Sequence, residues 1–288
     1  MRFDDVALRS RTVSALVAMP EDRSPMSQPQ TALDVVTREL SLDSSLGGIF
    51  ALEAGRGRPV LYLHGVGDAG GLLPGIAALA AGRRVVRPDH PGFLRSPSGA
   101  FRSVRELAGW YAEHLDAWGL AEGVDLIGCS LGGWIAAELA LLRPESIATL
   151  TLIDPAGLPG GPGQPDIFSL SPGESVERTF ATAEFRSRAA QPPPPEIAAR
   201  LARSLEEARR IAASPYMHDP TLADRLRALS CPAVVIWGEE DGIIPASTAE
   251  AWREAIPEAT IGLIPNAGHL PHLEQPELFR RAVPQLEA

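Results

Sequence analysis

Ser130 lies in Ile127-Gly128-Cys129-Ser130-Leu131-Gly132-Gly133, a G-x-S-x-G sequence between the apolar run Val124 to Cys129 and the apolar helical stretch Leu131 to Leu142. A serine at the tip of a sharp strand-to-helix turn is held in strained backbone angles with its hydroxyl exposed. Such a turn closes only when the residues two before and two after are nearly free of side chain. Gly128 and Gly132 meet that demand. The same turn sets the backbone N–H of Leu131 at a helix N-terminus, where it stabilises developing negative charge. A hydroxyl is a weak nucleophile at neutral pH, so Ser130 needs an imidazole base and a carboxylate to orient that base.

The chain has six histidines. His114 falls in a helix, His218 beside a proline turn, and His90 in a turn that reads as structural. His64 precedes the glycine where an oxyanion loop must turn. It is expected to hold that loop, with the N–H of Val66 as the second oxyanion donor beside Leu131. His269, in Pro265-Asn266-Ala267-Gly268-His269 after the last strand, is the expected base, and His272 is expected at the rim. Trp237 to Pro245 offers three carboxylates at the end of a strand. Glu239 and Glu240 read as solvated loop charge and Asp241 as the acid, with Asp154 as its rival. The order Ser130, Asp241, His269 is the Ser, acid, His order of hydrolases built on a parallel sheet. Arg186 and Arg188 are candidates to bind a substrate carboxylate, against the plainer reading of solvated helix charge.

These residues must be held by elements, and the pattern supplies them. A leader, 1–30, carries Pro20, Pro25 and Pro29 without sustained periodicity, and Met26 offers an alternative start. Leu33 to Glu53 reads as two antiparallel strands joined through Asp43-Ser44-Ser45 and Gly47-Gly48. Pro59 to Leu63 is a continuous apolar run of the kind buried on both faces of a parallel sheet. A short helix over Leu72 to Ala81 precedes the strand Arg84 to Arg87. Ser103 and Glu106 read as a capping box for a helix burying Val104, Leu107, Tyr111, Leu115 and Trp118. The Ser130 strand and helix follow, then the strand Ala148 to Ile153. After a break come a helix over Asp219 to Leu229, the strand Ala233 to Trp237, a helix from Ser247 to Ala255, the strand Ala259 to Ile264 and a last helix opened by Pro276.

This rhythm predicts an α/β fold, a mostly parallel eight-stranded sheet flanked by helices, with the site at the carboxyl ends of the strands. The rhythm breaks at 158–218. There one amphipathic helix opens at the capping box Ser171-Pro172-Gly173-Glu174 and buries Val176, Phe180 and Ala183. A second follows Pro192 to Pro195 with Ile197, Leu201, Leu205 and Ala208 on one face. This segment is expected to cap the site, inserted after strand 6 of a core formed by 31–157 and 219–288.

The net charge of −10 and pI near 5.1 argue against nucleic acid and anionic membrane surfaces as partners, and a small-molecule substrate is expected. No apolar run approaches the roughly 18 residues that span a bilayer. Val13 to Met19 is short for a signal peptide and follows Asp4 and Asp5, so a cytoplasmic protein is expected. Cys129 and Cys231 fall in or beside apolar strands and read as small core residues.

His64 to Gly67, Asp89 to Ser96, Gly128 to Gly133, Leu222 to Asp241 and Asn266 to His269 together resemble the α/β-hydrolase superfamily, in its serine-nucleophile branch with a helical cap. The likeness covers about Leu33 to Leu286. It implies a metal-free and cofactor-free hydrolase cleaving a small carboxylic ester or related acyl compound through an acyl-enzyme. The superfamily also holds lactonases, carbon-carbon hydrolases of dicarbonyl compounds, cofactor-free perhydrolases and ligand receptors. Its haloalkane dehalogenases and epoxide hydrolases use an aspartate nucleophile, which Ser130 argues against. Two departures stand out. Leu94 replaces a second glycine, which is expected to narrow the pocket mouth, and Asp68-Ala69-Gly70 follows the oxyanion loop where ring-cleavage-product hydrolases carry Gly-Pro.

Overall fold

The computed structural model describes residues 37–283 and Leu286; the expected leader lies outside them. Eight strands form one sheet in the order β1-β2-β4-β3-β5-β6-β7-β8. β1 (Thr37–Leu42) and β2 (Ile49–Ala54) are the expected antiparallel pair, and β2 also runs antiparallel to β4 (Arg84–Pro88). From β4 onward, through β3 (Pro59–Leu63), β5 (Val124–Cys129), β6 (Ile147–Ile153), β7 (Ala233–Gly238) and β8 (Thr260–Ile264), every pairing is parallel.

Alternate residues of the central strands feed two cores. Val60, Tyr62, Ile127, Cys129, Ile153 and Ile236 pack on one face with Ile76 of α1 (Pro74–Ala77) and Phe279 of the final helix. Leu61, Leu63, Leu126, Leu152 and Val235 pack on the other with α2 (Val104–His114) and α3 (Leu131–Leu142). A strand buried on both faces must be apolar at both parities, which is why these strands are continuous apolar runs. Both cysteines are free thiols, Cys129 buried and Cys231 half-buried.

Between β6 and β7 the chain leaves the sheet. Three helices occupy the excursion: α4 (Pro172–Thr179), α5 (Ala183–Ala189) and α6 (Pro195–Ala212). The Ser171–Glu174 capping box is present, but the single helix expected from it is two. Phe180 turns extended (φ −114°, ψ 136°), and the Thr182 hydroxyl accepts from the Phe185 N–H to start α5. Val176 and Phe180 are half-buried and Ala183 is exposed, so that expected apolar face is only partly formed. At α2 only half of the expected capping box exists: Ser103 accepts from the Glu106 N–H, while the Glu106 carboxylate turns back to the Arg102 N–H.

The remaining helices are α7 (Leu222–Leu226), α8 (Ala249–Ala255), α9 (Pro271–Glu274) and α10 (Pro276–Ala282). α7 is shorter than the sequence suggested, and α9 was not expected. Among the described residues no helix is long and apolar enough to cross a membrane.

Candidate active site

The chain visits β3, moves outward to β4, then returns past β3 to β5, so β3 and β5 are neighbours from which it departs in opposite directions. A crevice opens beyond the carboxyl ends of strands at such a point. Ser130 follows β5 and His64 to Asp68 follow β3 on its two sides, while Asp154, Asp241 and His269 follow β6, β7 and β8 along the same edge.

Ser130 has φ 55° and ψ −120°, far from any helical or extended well. The turn survives because its neighbours are bare. A Cβ on Gly132 would sit 2.1 Å from the Leu63 carbonyl oxygen, and one on Gly128 would sit 2.2 Å from the Gly132 oxygen. The Ser130 carbonyl accepts from the N–H groups of Gly133 (2.9 Å), Ala156 (3.1 Å) and Trp134 (3.2 Å), tying the turn to α3 and to the β6 loop. Leu131 opens α3, where its N–H has no partner within the helix.

The loop after β3 is fixed by two neutral imidazoles. Burial pushes His64 and His90 well below the usual histidine range. The His64 Nε2 accepts from the His90 N–H (3.2 Å), so Nδ1 carries the hydrogen and donates to the Gly65 carbonyl (2.8 Å). His90 stacks on His64 with ring centroids 4.0 Å apart; its Nε2–H donates to the His64 carbonyl and its Nδ1 accepts from the Tyr111 hydroxyl. Because a trans peptide points its C=O and N–H in opposite directions, anchoring the Gly65 oxygen turns the Val66 N–H the other way. A Cβ on Gly65 would stand 3.2 Å from the Ser130 Cβ, so this loop passes directly against the serine.

Downstream in the same loop lies Asp68. Its Oδ1 accepts from the Gly70 N–H (2.6 Å) and from Arg87 Nη2 (2.7 Å), while Arg87, wholly buried, also bonds Asp89 (2.5 Å).

His269 Nδ1 donates to Asp241 Oδ2 at 2.7 Å. The other Asp241 oxygen accepts from the N–H groups of Ile243 (2.8 Å) and Ile244 (3.0 Å), and the buried Trp237 indole holds that loop through the Ile244 carbonyl (2.9 Å). With its hydrogen on Nδ1, the imidazole leaves Nε2 as a proton acceptor. Asp241, rather than its rival Asp154, meets the ring. Ser130, Asp241 and His269 are 6%, 6% and 7% exposed, buried enough to exclude bulk water yet not sealed. Asp154, Asp241 and His269 offer ligand-type atoms within 4.8 Å of one another, but the Asp241 and His269 atoms are engaged with each other and with backbone amides, an arrangement that orients a base.

The excursion helices reach into both loops. The Arg178 carbonyl at the end of α4 accepts from the Gly242 N–H (3.0 Å), and the Thr179 carbonyl accepts from the His269 N–H (2.7 Å). Glu274 of α9 adds a staple that sequence reasoning missed: its buried carboxylate accepts from the N–H groups of Gly268 (2.7 Å), Ala181 (3.0 Å) and Thr182 (3.2 Å). The available signal was a carboxylate among Leu270, Leu273 and Phe279.

One expectation is corrected here. His272 is wholly buried, not at the rim; it bonds the Tyr62 hydroxyl through Nε2 (3.0 Å), and burial pushes it down to about 3. Arg186 donates to the Phe180 carbonyl and pairs with Glu177, and Arg188 pairs with Glu184 at the surface, in keeping with the plainer reading of solvated helix charge. Leu94 keeps the backbone of a glycine, φ 46°, and is buried under α6, where its N–H meets the Ser204 hydroxyl and its carbonyl meets Arg203.

Residues 60–282 match the alpha/beta hydrolase family. The chain is 30% identical over 248 residues to the dihydrolipoyllysine-residue acetyltransferase component of the acetoin cleaving system of Cupriavidus necator, covering 80% of this chain and 63% of that one, less than two thirds of its length. It is 28% identical over 252 residues to the pimeloyl-[acyl-carrier protein] methyl ester esterase of Aeromonas hydrophila, covering 78% and 93%. The solved structure of 2-hydroxy-6-oxo-6-phenylhexa-2,4-dienoate hydrolase from Rhodococcus sp. strain RHA1 superposes with a TM-score of 0.71 at 22% identity, covering 88% and 99%.

Proposed function

The chain belongs to the alpha/beta hydrolase family, and from that premise we propose that it is a serine hydrolase cleaving a small carboxylic ester or related acyl compound through an acyl-enzyme. The observation that carries this reading is the 2.7 Å bond from His269 Nδ1 to Asp241 along the same sheet edge as the strained Ser130.

In this mechanism Ser130 Oγ attacks the carbonyl carbon as His269 Nε2 takes its proton. The oxyanion is met by the N–H groups of Val66 and Leu131, and Asp241 steadies the imidazolium. Collapse expels the alcohol with the proton returned from His269. Water, activated by the same imidazole, then releases the acid and restores Ser130. The helices of 158–218 serve as the cap over this site.

Ester chemistry is favoured over carbon-carbon cleavage because the latter needs a site for a substrate carboxylate. Arg186 and Arg188, the arginines weighed for that task, lie in surface pairs with Glu177 and Glu184 like ordinary helix charge, and Asp68, which follows the oxyanion loop, is a carboxylate paired with Arg87. The methyl ester esterase among the relatives is consistent with that preference.

The test is fluorophosphonate labelling of wild type and Ser130→Ala, followed by kcat/KM for p-nitrophenyl butyrate against a vinylogous dicarbonyl compound. Labelling confined to wild type and a clear ester preference are expected, with turnover falling about 10⁴-fold or more in Ser130→Ala. Labelling that persists in the variant puts the nucleophile elsewhere. Preference for the dicarbonyl compound replaces the esterase with a carbon-carbon hydrolase, and labelling without turnover of any substrate indicates a ligand receptor.

A further inference from the structure

Asp154 follows β6 with φ 43° and is wholly buried beside the proposed triad without touching its base in the manner of Asp241. Its Oδ1 accepts from the Gly238 N–H (2.9 Å), while its buried Oδ2 meets no donor. The charged and titratable groups facing it are Asp241 after β7, Glu274 on α9, His269 after β8 and the Cys129 thiol at the end of β5.

Two carboxyl groups and one imidazole are therefore clustered, with the Glu274 carboxyl close enough to act on Asp154 electrostatically. Backbone donors are divided unevenly among them. Asp241 accepts from two amides and from His269, and Glu274 accepts from three amides, whereas Asp154 accepts from one. An ionised group with a bare oxygen buried against two other carboxylates is the costliest way to distribute the charge. As a carboxylic acid, Asp154 gains a donor, and its side chain lies within hydrogen-bonding reach of the Asp241 carboxyl group. Burial, then the negative charge of Asp241, push its carboxyl well above the usual range.

We propose that Asp154 is a positioning residue of the triad: it remains a neutral carboxylic acid and donates its Oδ2 hydrogen to Asp241, fixing that carboxylate and moderating the charge that His269 feels. The proposal rests on the triad reading above and adds a fourth side chain to it.

The test uses the full chain carrying Asp154→Asn or Asp154→Gly, both residues that accept a positive φ. The His269 ring is titrated by NMR, which needs no turnover, and kcat and KM for p-nitrophenyl butyrate are measured over the same pH range. Asparagine keeps a neutral donor, so the His269 midpoint stays within about 0.3 unit of wild type and kcat/KM within about threefold. Glycine removes the donor and leaves the full Asp241 charge on the ring. Its midpoint rises by about half a unit or more, and kcat falls about tenfold with little change in KM.

A midpoint that drops in Asp154→Asn means that the wild-type group is ionised and overturns the proposal, as does an unchanged midpoint in Asp154→Gly. Should the glycine variant not fold, the asparagine midpoint alone decides. If wild type neither takes the fluorophosphonate nor hydrolyses any ester, the hydrolase reading falls while the ring titration still decides the role of Asp154.

Discussion

Ser130 holds a backbone conformation that the turn imposes on it, and such residues cost about 1–3 kcal/mol. Ser130→Ala keeps the strain, whereas Ser130→Gly relieves it. The glycine variant is expected to unfold at higher urea than the alanine variant by about 1 kcal/mol net of glycine's greater chain entropy, with both inactive. Equal midpoints would mean that the turn stores no strain at this residue.

Asp241→Asn removes the acceptor that fixes the His269 tautomer and should lower kcat by about 10³-fold or more, against the mild effect expected of Asp154→Asn. That Ser130, Asp241 and His269 lie along one sheet edge could be anticipated from the sequence because each sits where a predicted strand ends, in a short polar or glycine-rich segment. The burial of His272 could not. Its partner Tyr62 lies 210 residues away in β3, and only the parallel sheet brings the two together. Glu274 was hidden for the same reason: its partners are backbone amides, which leave no trace in residue type.

At the level of elements, the strands were the most legible part of the chain, because burial on both faces demands unbroken apolar runs and the loops that end them are polar. The excursion helices were less so. A break such as that at Phe180 is set by where Thr182 can cap a new helix and where Glu274 can gather amides, both consequences of tertiary contact.

Two glycine substitutions separate these effects. Gly268→Ala would place a Cβ 2.2 Å from the Thr179 carbonyl oxygen, breaking the contact that also receives the His269 N–H. It should cut kcat by at least about tenfold while the far-UV spectrum stays native. Gly109→Ala, inside α2 with nothing within 4 Å of the new methyl group, should raise stability by about 0.5–1 kcal/mol and leave kcat unchanged. A silent Gly268→Ala would show that the α4 contact does not hold the base.

For the molecule as a whole, the buried ionisable groups set a stability optimum. His64 and His90 are held well below their ordinary value of 6.5, and His272 at about 3. The folded chain keeps them neutral while the unfolded chain protonates them below about pH 6.5, so stability is lost as pH falls through that range. Asp154 works oppositely: folded, it keeps a proton that the unfolded chain has released above its ordinary value of 3.8, so its contribution is lost as pH rises. Between about pH 4 and 6.5 the three histidine protons outweigh the one on Asp154, a net slope of up to about 3 kcal/mol per pH unit. Above that range, up to about pH 8 where the buried Cys129 thiol begins to contribute, Asp154 acts with the opposite sign. Urea midpoints should therefore peak near about pH 6.5, and Asp154→Asn should level the alkaline side. A flat profile between about pH 5 and 6.5 would mean that the histidines are not held neutral.

The hydrogen bonds from Gly242 and His269 to the carbonyls of Arg178 and Thr179, with Glu274 gripping Ala181 and Thr182, also set where this protein can be re-engineered. Grafting a foreign module in place of the whole of 158–218 would remove the carbonyls on which the Asp241 and His269 loops hang. The exchangeable part is α5: α6 is tied to the loop after β4 by Ser204 and Arg203, which bond the Leu94 backbone, and α4 carries the carbonyls that receive the Gly242 and His269 N–H groups.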